Sequence, residues 1–351
     1  MALLTTTIGA FPKPAYVPIS DWFTAAGGTD TDQPTKRYTA EMSQAAGGAE
    51  ALFRKAVREV IADQFAAGID IPTDGEVRRE NYIHYHCRHL MGIDFAVITE
   101  RKMRGHYVAQ VPTITGPVRA GASFLAAEWV LAQKDSKQPV KVTLPGPMTI
   151  ANSVADAHYG NAESLDRDLA TALNSEVRAL ATAGCRHIQI DEPLFARQPE
   201  RALCYGIGNL ERCFDGVDET VTRTMHMCCG YPSGLDLPNY PKAPMDSYSE
   251  LAEAIDQTCI DAVSLEDAHR YNDLKTLLVR FRNTIVIFGS IAIANSEIEP
   301  VQQIAGRLRT ALTHIEAERL WVAPDCGLGL LGRELAMAKL RNMCEAARQV
   351  V

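Results

Sequence analysis

The chain has 351 residues, 46% hydrophobic and 22% charged, a balance that excludes disorder and gives ample apolar mass for a large core. Its net charge of −8, with no long Lys/Arg run, leaves nucleic-acid binding and anionic-membrane binding without electrostatic support. No stretch of about 18 apolar residues suggests a membrane span, and the start, MALLTTTIGAFPKP, has neither the basic nor the long apolar part of a signal peptide, so a soluble, cytoplasmic protein is expected.

In chain order, short apolar or β-branched runs alternate with longer amphipathic stretches. The runs fall at 5–10 (TTTIGA), 68–74 (GIDIPTD), 140–144 (VKVTL), 187–191 (HIQID), 220–226 (TVTRTMH), 261–266 (DAVSLE), 284–289 (TIVIFG) and 320–324 (LWVAP). Between them, apolar residues at i, i+3 and i+4 predict helices over 51–67, 165–183, 249–256, 274–280, 300–317 and 332–350. Eight strand–helix alternations predict a parallel sheet with helical crossovers, closed as a (β/α)8 TIM barrel. Two stretches exceed a minimal barrel. Residues 20–48, rich in Gly, Thr and Asp, read as an excursion before the first helix, and 100–136 as an inserted hairpin. No linker or repeat divides the chain, so 1–351 is read as one catalytic barrel, with both insertions at its mouth.

Nine cysteines, an odd number without a signal peptide, do not form a disulfide framework. Most are expected to be small buried hydrophobes. Four residues stand apart. In TMHMCCG, His226 and Cys228 lie two positions apart at a strand end, a spacing that turns both side chains to one side. Glu266 ends the strand DAVSLE, and Cys326 follows LWVAP. All four therefore belong to the C-terminal rim, where barrel active sites assemble. Two thiols, an imidazole and a carboxylate are a donor set suited to zinc. Taken singly, each has an ordinary explanation: Cys326 as core, Glu266 as an ion-pair partner of Arg270. Cys229 is expected to point away from the metal and pack.

The ordered set TIGAFPKP, DGEVRREN, LPGPMTIAN, IQIDEP, HMCCG, VSLED and PDCGLG resembles the signatures of the catalytic barrel of cobalamin-independent methionine synthase. The resemblance runs over nearly the whole chain and is to a single-barrel form, since the full-length enzymes carry a second barrel. It implies a catalytic zinc on His226, Cys228, Glu266 and Cys326. Because catalytic zinc needs an exchangeable position, a weak carboxylate ligand such as Glu266 is expected to loosen when a substrate sulfur enters. A free thiol is mostly protonated at neutral pH, and coordination to zinc would make it a nucleophilic thiolate. The resemblance also places Glu76 and Asp191 on the amino group of homocysteine. The carboxylate would lie at Gly9 and Ala10, although Ala10 lacks the hydroxyl of the family's usual Gly-Ser-Phe-Pro. Without the resemblance, Glu76 reads as a salt-bridge partner of Arg78 or Arg79, and Asp191 as a structural carboxylate.

Two departures bear on the methyl donor. Asn152 and Ser153 stand where the folate-dependent enzymes carry a tryptophan on which a pterin stacks. Ala292 and Ala294 fall near the family's aspartate and histidine implicated in proton delivery, a requirement of a folate leaving group. The expected reaction is methyl transfer to homocysteine, forming methionine, from a non-folate donor such as a methylcorrinoid protein. The alternative is an epoxyalkane:coenzyme M transferase, which would need cations such as Arg78, Arg79 or Arg333 for a sulfonate and has no use for two acidic anchors. A non-catalytic zinc or corrinoid scaffold and a zinc hydrolase are the other classes. Two thiolate ligands disfavour the hydrolase.

Two motifs are set aside. The run from Gly327 to Gly332 (GLGLLG) is a formal G-x-G-x-x-G, but no further strand with an acid follows within the chain. His84, His86, Cys87 and His89 in HYHCRH read as a polar helix beside the pocket, not as a metal site.

Overall fold

The structure, a computed structural model, describes residues 2–105, 107–134 and 136–350. Six strands form one parallel sheet in the order Val142–Pro145, His187–Asp191, Thr222–Met227, Ala262–Leu265, Ile285–Gly289 and Leu320–Ala323. Single parallel bridges complete it: Thr5 to Val322, Thr6 to Ile71, and Thr73 to Lys141. These bridges lead from the last strand back to the first, so eight strands close into a (β/α)8 barrel. Each expected strand is present. The first two are reduced to bridging residues, because the chain there soon turns outward to build the rim.

Residue type explains the elements. Val142–Pro145 and Ala262–Leu265 are buried at every position, which favours the apolar, β-branched runs seen in the sequence. Ala162–Ala183 starts where the Asn161 side chain accepts from Ser164 N–H at 2.8 Å. It ends at Gly184 (φ 104°), whose left-handed conformation lets its N–H reach the last turn. Its buried stripe, Leu165, Leu169, Leu173, Val177 and Leu180, packs on the barrel. Leu169, fully buried, would leave a cavity on truncation to Ala costing about 2–5 kcal/mol.

The main core lies between strands and helices, and a smaller apolar cluster of Ile8, Ala262, Ile287 and Ala323 fills part of the barrel interior. The rest of that interior is polar. Register sets Gln189 beside Thr143 and Thr224, and His226 beside Asp191 and Ser264.

Both insertions cover the C-terminal rim. The hairpin expected within 100–136 runs instead over Leu90–Met103 and Tyr107–Ala120, and Leu125–Lys134 is a helix. Its first strand alternates poorly (LMGIDFAV) and carries register irregularities, which hid its start in the sequence. Gln110 N–H bonds Asp32 O at 2.8 Å, and Thr29 Oγ1 donates to Pro232 O at 2.9 Å. The hairpin and the 20–48 excursion are thereby tied to each other and to the loop beyond His226.

Candidate metal centre and substrate cleft

The Thr222–Met227 strand carries His226 to the rim, and Cys228 follows one residue past its end. Cys326 lies beyond Leu320–Ala323. Together they place an imidazole nitrogen and two sulfurs within 4.8 Å of one another. His226 Nε2 stands 3.3 Å from Cys326 Sγ, and His226 Nδ1 lies 3.0 Å from Ser264 Oγ. Ser264 is the register partner of His226 on the next strand, so the sheet itself orients the ring.

The charges are arranged for ligation. A hydrogen bond from the Cys326 thiol, aided by His226, holds the Cys228 sulfur well below the usual thiol range despite burial. That same bond to Cys228, reinforced by burial, pushes Cys326 up. Burial pulls His226 down, but the Cys228 hydrogen bond and the charges of Cys228, Asp191 and Glu266 outweigh it, and the net shift is upward.

Glu266 sits one residue past Ala262–Leu265, with its carboxylate turned aside. Oε1 accepts from Cys229 N–H at 3.0 Å and Oε2 from Lys242 Nζ at 2.8 Å. Burial raises its pKa to about 7 against the opposing charge of Lys242. It groups with His269 and Asp325 instead of with the His–Cys–Cys set. That second group is already engaged: Asp325 accepts from the N–H groups of Asp267, Ala268 and His269 at 2.7–3.0 Å. His269 Nε2 accepts from Ile293 and Ala294 N–H at 3.0 and 2.9 Å. It is a clamp on the rim loops. Cys229 is buried, with its sulfur 3.0 Å from an Arg270 nitrogen, and burial raises its thiol to about 12.

Over the two thiols opens a cleft of about 1100 Å³, mouth included. Gly9, Ala10, Glu76 and Asp191 line it together with His226, Cys228 and Cys326. Glu76 has a left-handed backbone (φ 55°), a strained state for a non-glycine residue and one that recurs at functional sites. Its Oε1 accepts from Arg79 at 3.0 Å and from Thr143 Oγ1 at 2.6 Å, so the ordinary ion pair exists within the cleft wall. A Cβ at Gly9 would stand 2.6 Å from that oxygen, which is why glycine is needed there. Asp191 accepts from Gln189 Nε2 at 2.7 Å, and burial raises its carboxyl to about 7.

Asn152 and Ser153 line the cleft as expected, but aromatic rings come from elsewhere. Trp22 and Phe23 of the excursion pack at 5.0 Å, Trp22 lies 5.7 Å from Tyr82, and Phe23 lies 5.5 Å from Tyr231. This wall was not legible from composition or spacing, because it needs the excursion folded back over the rim. Ala292 and Ala294 are buried, and their backbone N–H groups are held by Glu299 and His269.

The cations considered for a sulfonate are otherwise engaged: Arg78 bonds Glu50, Arg79 bonds Glu76 and Arg333 bonds Asp63. The glycine loop is packed shut, since Leu328 N–H bonds Ala10 O at 2.7 Å and a Cβ at Gly329 would stand 2.3 Å from the Phe23 ring. The 84–89 histidines have other work. His84 Nε2 lies 3.0 Å from Ser153 O, His86 Nδ1 lies 2.7 Å from Tyr82 O, and His89 stacks on Phe124 at 3.7 Å.

Comparison with known proteins agrees with this geometry. The family model described as "Cobalamin-independent synthase, Catalytic domain" matches residues 3–349. The methionine synthase of Sulfolobus acidocaldarius is 30% identical over 342 residues, covering 97% of this chain and 90% of that protein. The methionine synthase of Saccharolobus solfataricus is 28% identical over 350 residues, covering 99% and 95%. Among solved structures, a B12-independent methionine synthase from Shewanella sp. W3-18-1 in complex with selenomethionine aligns with a TM-score of 0.84 at 30% identity. That alignment covers 99% of this chain and 97% of the Shewanella chain. The chain belongs to the cobalamin-independent methionine synthase family, of which it carries the catalytic domain.

Proposed function

We propose that this protein is a zinc-dependent S-methyltransferase that methylates homocysteine to methionine, taking the methyl group from a non-folate donor such as a methylcorrinoid protein. The observation that carries this is the meeting of His226, Cys228 and Cys326 within 4.8 Å at the floor of a cleft also lined by two carboxylates. The donor set fits the metal: one imidazole and two sulfurs, one of them favoured as thiolate, suit zinc and leave a position for a further ligand. Zinc, when bound, supplies the activation of the substrate thiol.

The chain's own residues do the rest. Ser264 fixes the His226 ring, and the Cys326 thiol favours the thiolate form of Cys228. Asp191 and Glu76 anchor the substrate ammonium, and Asp191, held near neutrality by burial, is brought to its ionised form by that cation. Ala10 and Gly9 receive the carboxylate on backbone alone. Glu266, bonded here to Lys242 Nζ and Cys229 N–H, would be the further residue to hold the metal on the family's pattern. The aromatic wall of Trp22, Phe23 and Tyr231 excludes water from the sulfur and offers flat apolar surface to the donor.

The acidic anchors and the selenomethionine bound by the Shewanella relative support an amino-acid thiol over coenzyme M. The alanines at 292 and 294 support a donor whose leaving group needs no proton. The test offers the zinc-loaded protein homocysteine or coenzyme M with methylcobalamin, methyltetrahydrofolate or epoxypropane, following thioether by mass spectrometry. Methionine from homocysteine and methylcobalamin is the expected product. Turnover of epoxypropane with coenzyme M alone would overturn the assignment.

A further inference from the structure

In a protein of net charge −8, one wall of the rim is basic. Beside the cleft over the thiols lies a second one whose charged lining, among the described residues, is Lys102, Arg104, Arg197 and Lys242, with no acidic residue. The two clefts share Arg104, Asn152, Leu194 and Arg197, so they are continuous.

Two of these cations have their charge answered: Arg104 by Asp30 at 3.0 Å and Lys242 by Glu266 at 2.8 Å. Arg197 differs. It ends the short helix Pro193–Arg197, is half-buried, and among the described residues no hydrogen bond or ion pair engages its guanidinium. A Cβ at Gly230 would stand 3.0 Å from Arg197 Nη2 and 2.4 Å from Pro241 O, so the guanidinium is seated against the glycine that ends the HMCCG segment. Burial, and then the like charge of Arg104, lower its pKa. A half-buried guanidinium beside another cation, with no hydrogen bond or ion pair among the described residues, is suited to an anion.

We propose that Arg197, with Lys102 at the outer edge, binds an anionic oxygen group, phosphate or carboxylate, carried by the second substrate. This rests on the methyl-transfer reading above. The anion is not that of homocysteine, because the second cleft contains none of Gly9, Ala10, Glu76 or Asp191. A donor bound here adjoins the sulfur pocket along Arg104, Asn152, Leu194 and Arg197, which line both clefts.

Calorimetric titration of inorganic phosphate, and separately of glutarate, into the zinc-loaded full chain tests this. At least one probe binds saturably, and the one that binds identifies the chemistry. Arg197→Gln weakens it about 10- to 100-fold, the loss of one charge-assisted contact. Lys102→Gln, at an exposed position, weakens it less. Arg333→Gln removes a charge elsewhere, paired with Asp63, and leaves binding unchanged. Homocysteine titrated into the same proteins binds wild type and Arg197→Gln alike, so failure of the methyl-transfer reading would show separately. No saturable binding of either probe, or equal weakening by Arg333→Gln, overturns the proposal.

Discussion

His226 Nε2 and Cys326 Sγ lie 3.3 Å apart although 100 residues separate them in the chain. The contact exists because the Thr222–Met227 and Leu320–Ala323 strands both end at the same rim of a closed barrel. Cys228, two residues after His226, completes a donor group around a common centre. The arrangement answers the demands of a metal site: donors of the right softness, one already biased toward its anionic form, and a ring whose other nitrogen is fixed.

That last feature gives the first prediction. Ser264 touches no metal, yet its Oγ sits 3.0 Å from His226 Nδ1. Ser264→Ala should weaken zinc binding about 10- to 100-fold, the usual cost of losing an outer partner of a ligating histidine. Competition with a chromophoric chelator measures it. Unchanged affinity would remove Ser264 from the centre.

Asp191 should govern substrate affinity and not metal content. Asp191→Asn removes one charge-assisted contact to the ammonium, raising KM for homocysteine about 10- to 100-fold, with bound zinc unaltered. Zinc loss in parallel would show that Asp191 supports the metal instead.

Ala10 is the place where the family's hydroxyl is missing. Its side chain is buried at the cleft wall, and a Cβ built on Gly327 would stand 3.1 Å from it. A serine adds only one oxygen. Ala10→Ser should tighten homocysteine binding by about fivefold to tenfold, one net hydrogen bond. No effect would place the carboxylate elsewhere.

Asp166 offers a test of the fold through pH. It is fully buried on the Ala162–Ala183 helix, neither carboxyl oxygen has a hydrogen-bond partner among the described residues, and burial raises it to about 7. The folded state therefore holds its proton more tightly than the unfolded chain does. The resulting penalty is absent below about pH 4, grows as pH rises toward 7, and is constant above that. Asp166→Asn should stabilise the protein by on the order of 2–4 kcal/mol at pH 8 and hardly at all at pH 4. Denaturant unfolding at the two pH values checks this. Equal effects at both would contradict it.

The barrel was legible because its period is carried by local composition: runs such as VKVTL and TIVIFG between amphipathic stretches. His226, Cys228 and Cys326 were legible because a position at a strand end implies a position on the rim. What was not legible depends on segments folding back from outside that period. Lys242, in the loop after Cys229, decides where the Glu266 carboxylate points. Trp22 and Phe23 become a wall only when the excursion covers the rim. Ser264 gains its role through register, which the sequence does not print. Arg197 had no motif at all.

On the proposed function, the substrate sulfur joins His226, Cys228 and Cys326 on one zinc ion. X-ray absorption at the zinc edge, before and after adding homocysteine, tests it most directly. Two sulfur scatterers are expected at rest, a third once homocysteine is added, and loss of one of them in Cys326→Ala. A sulfur count that stays unchanged while methionine is formed, or full activity in metal-free protein, would contradict it.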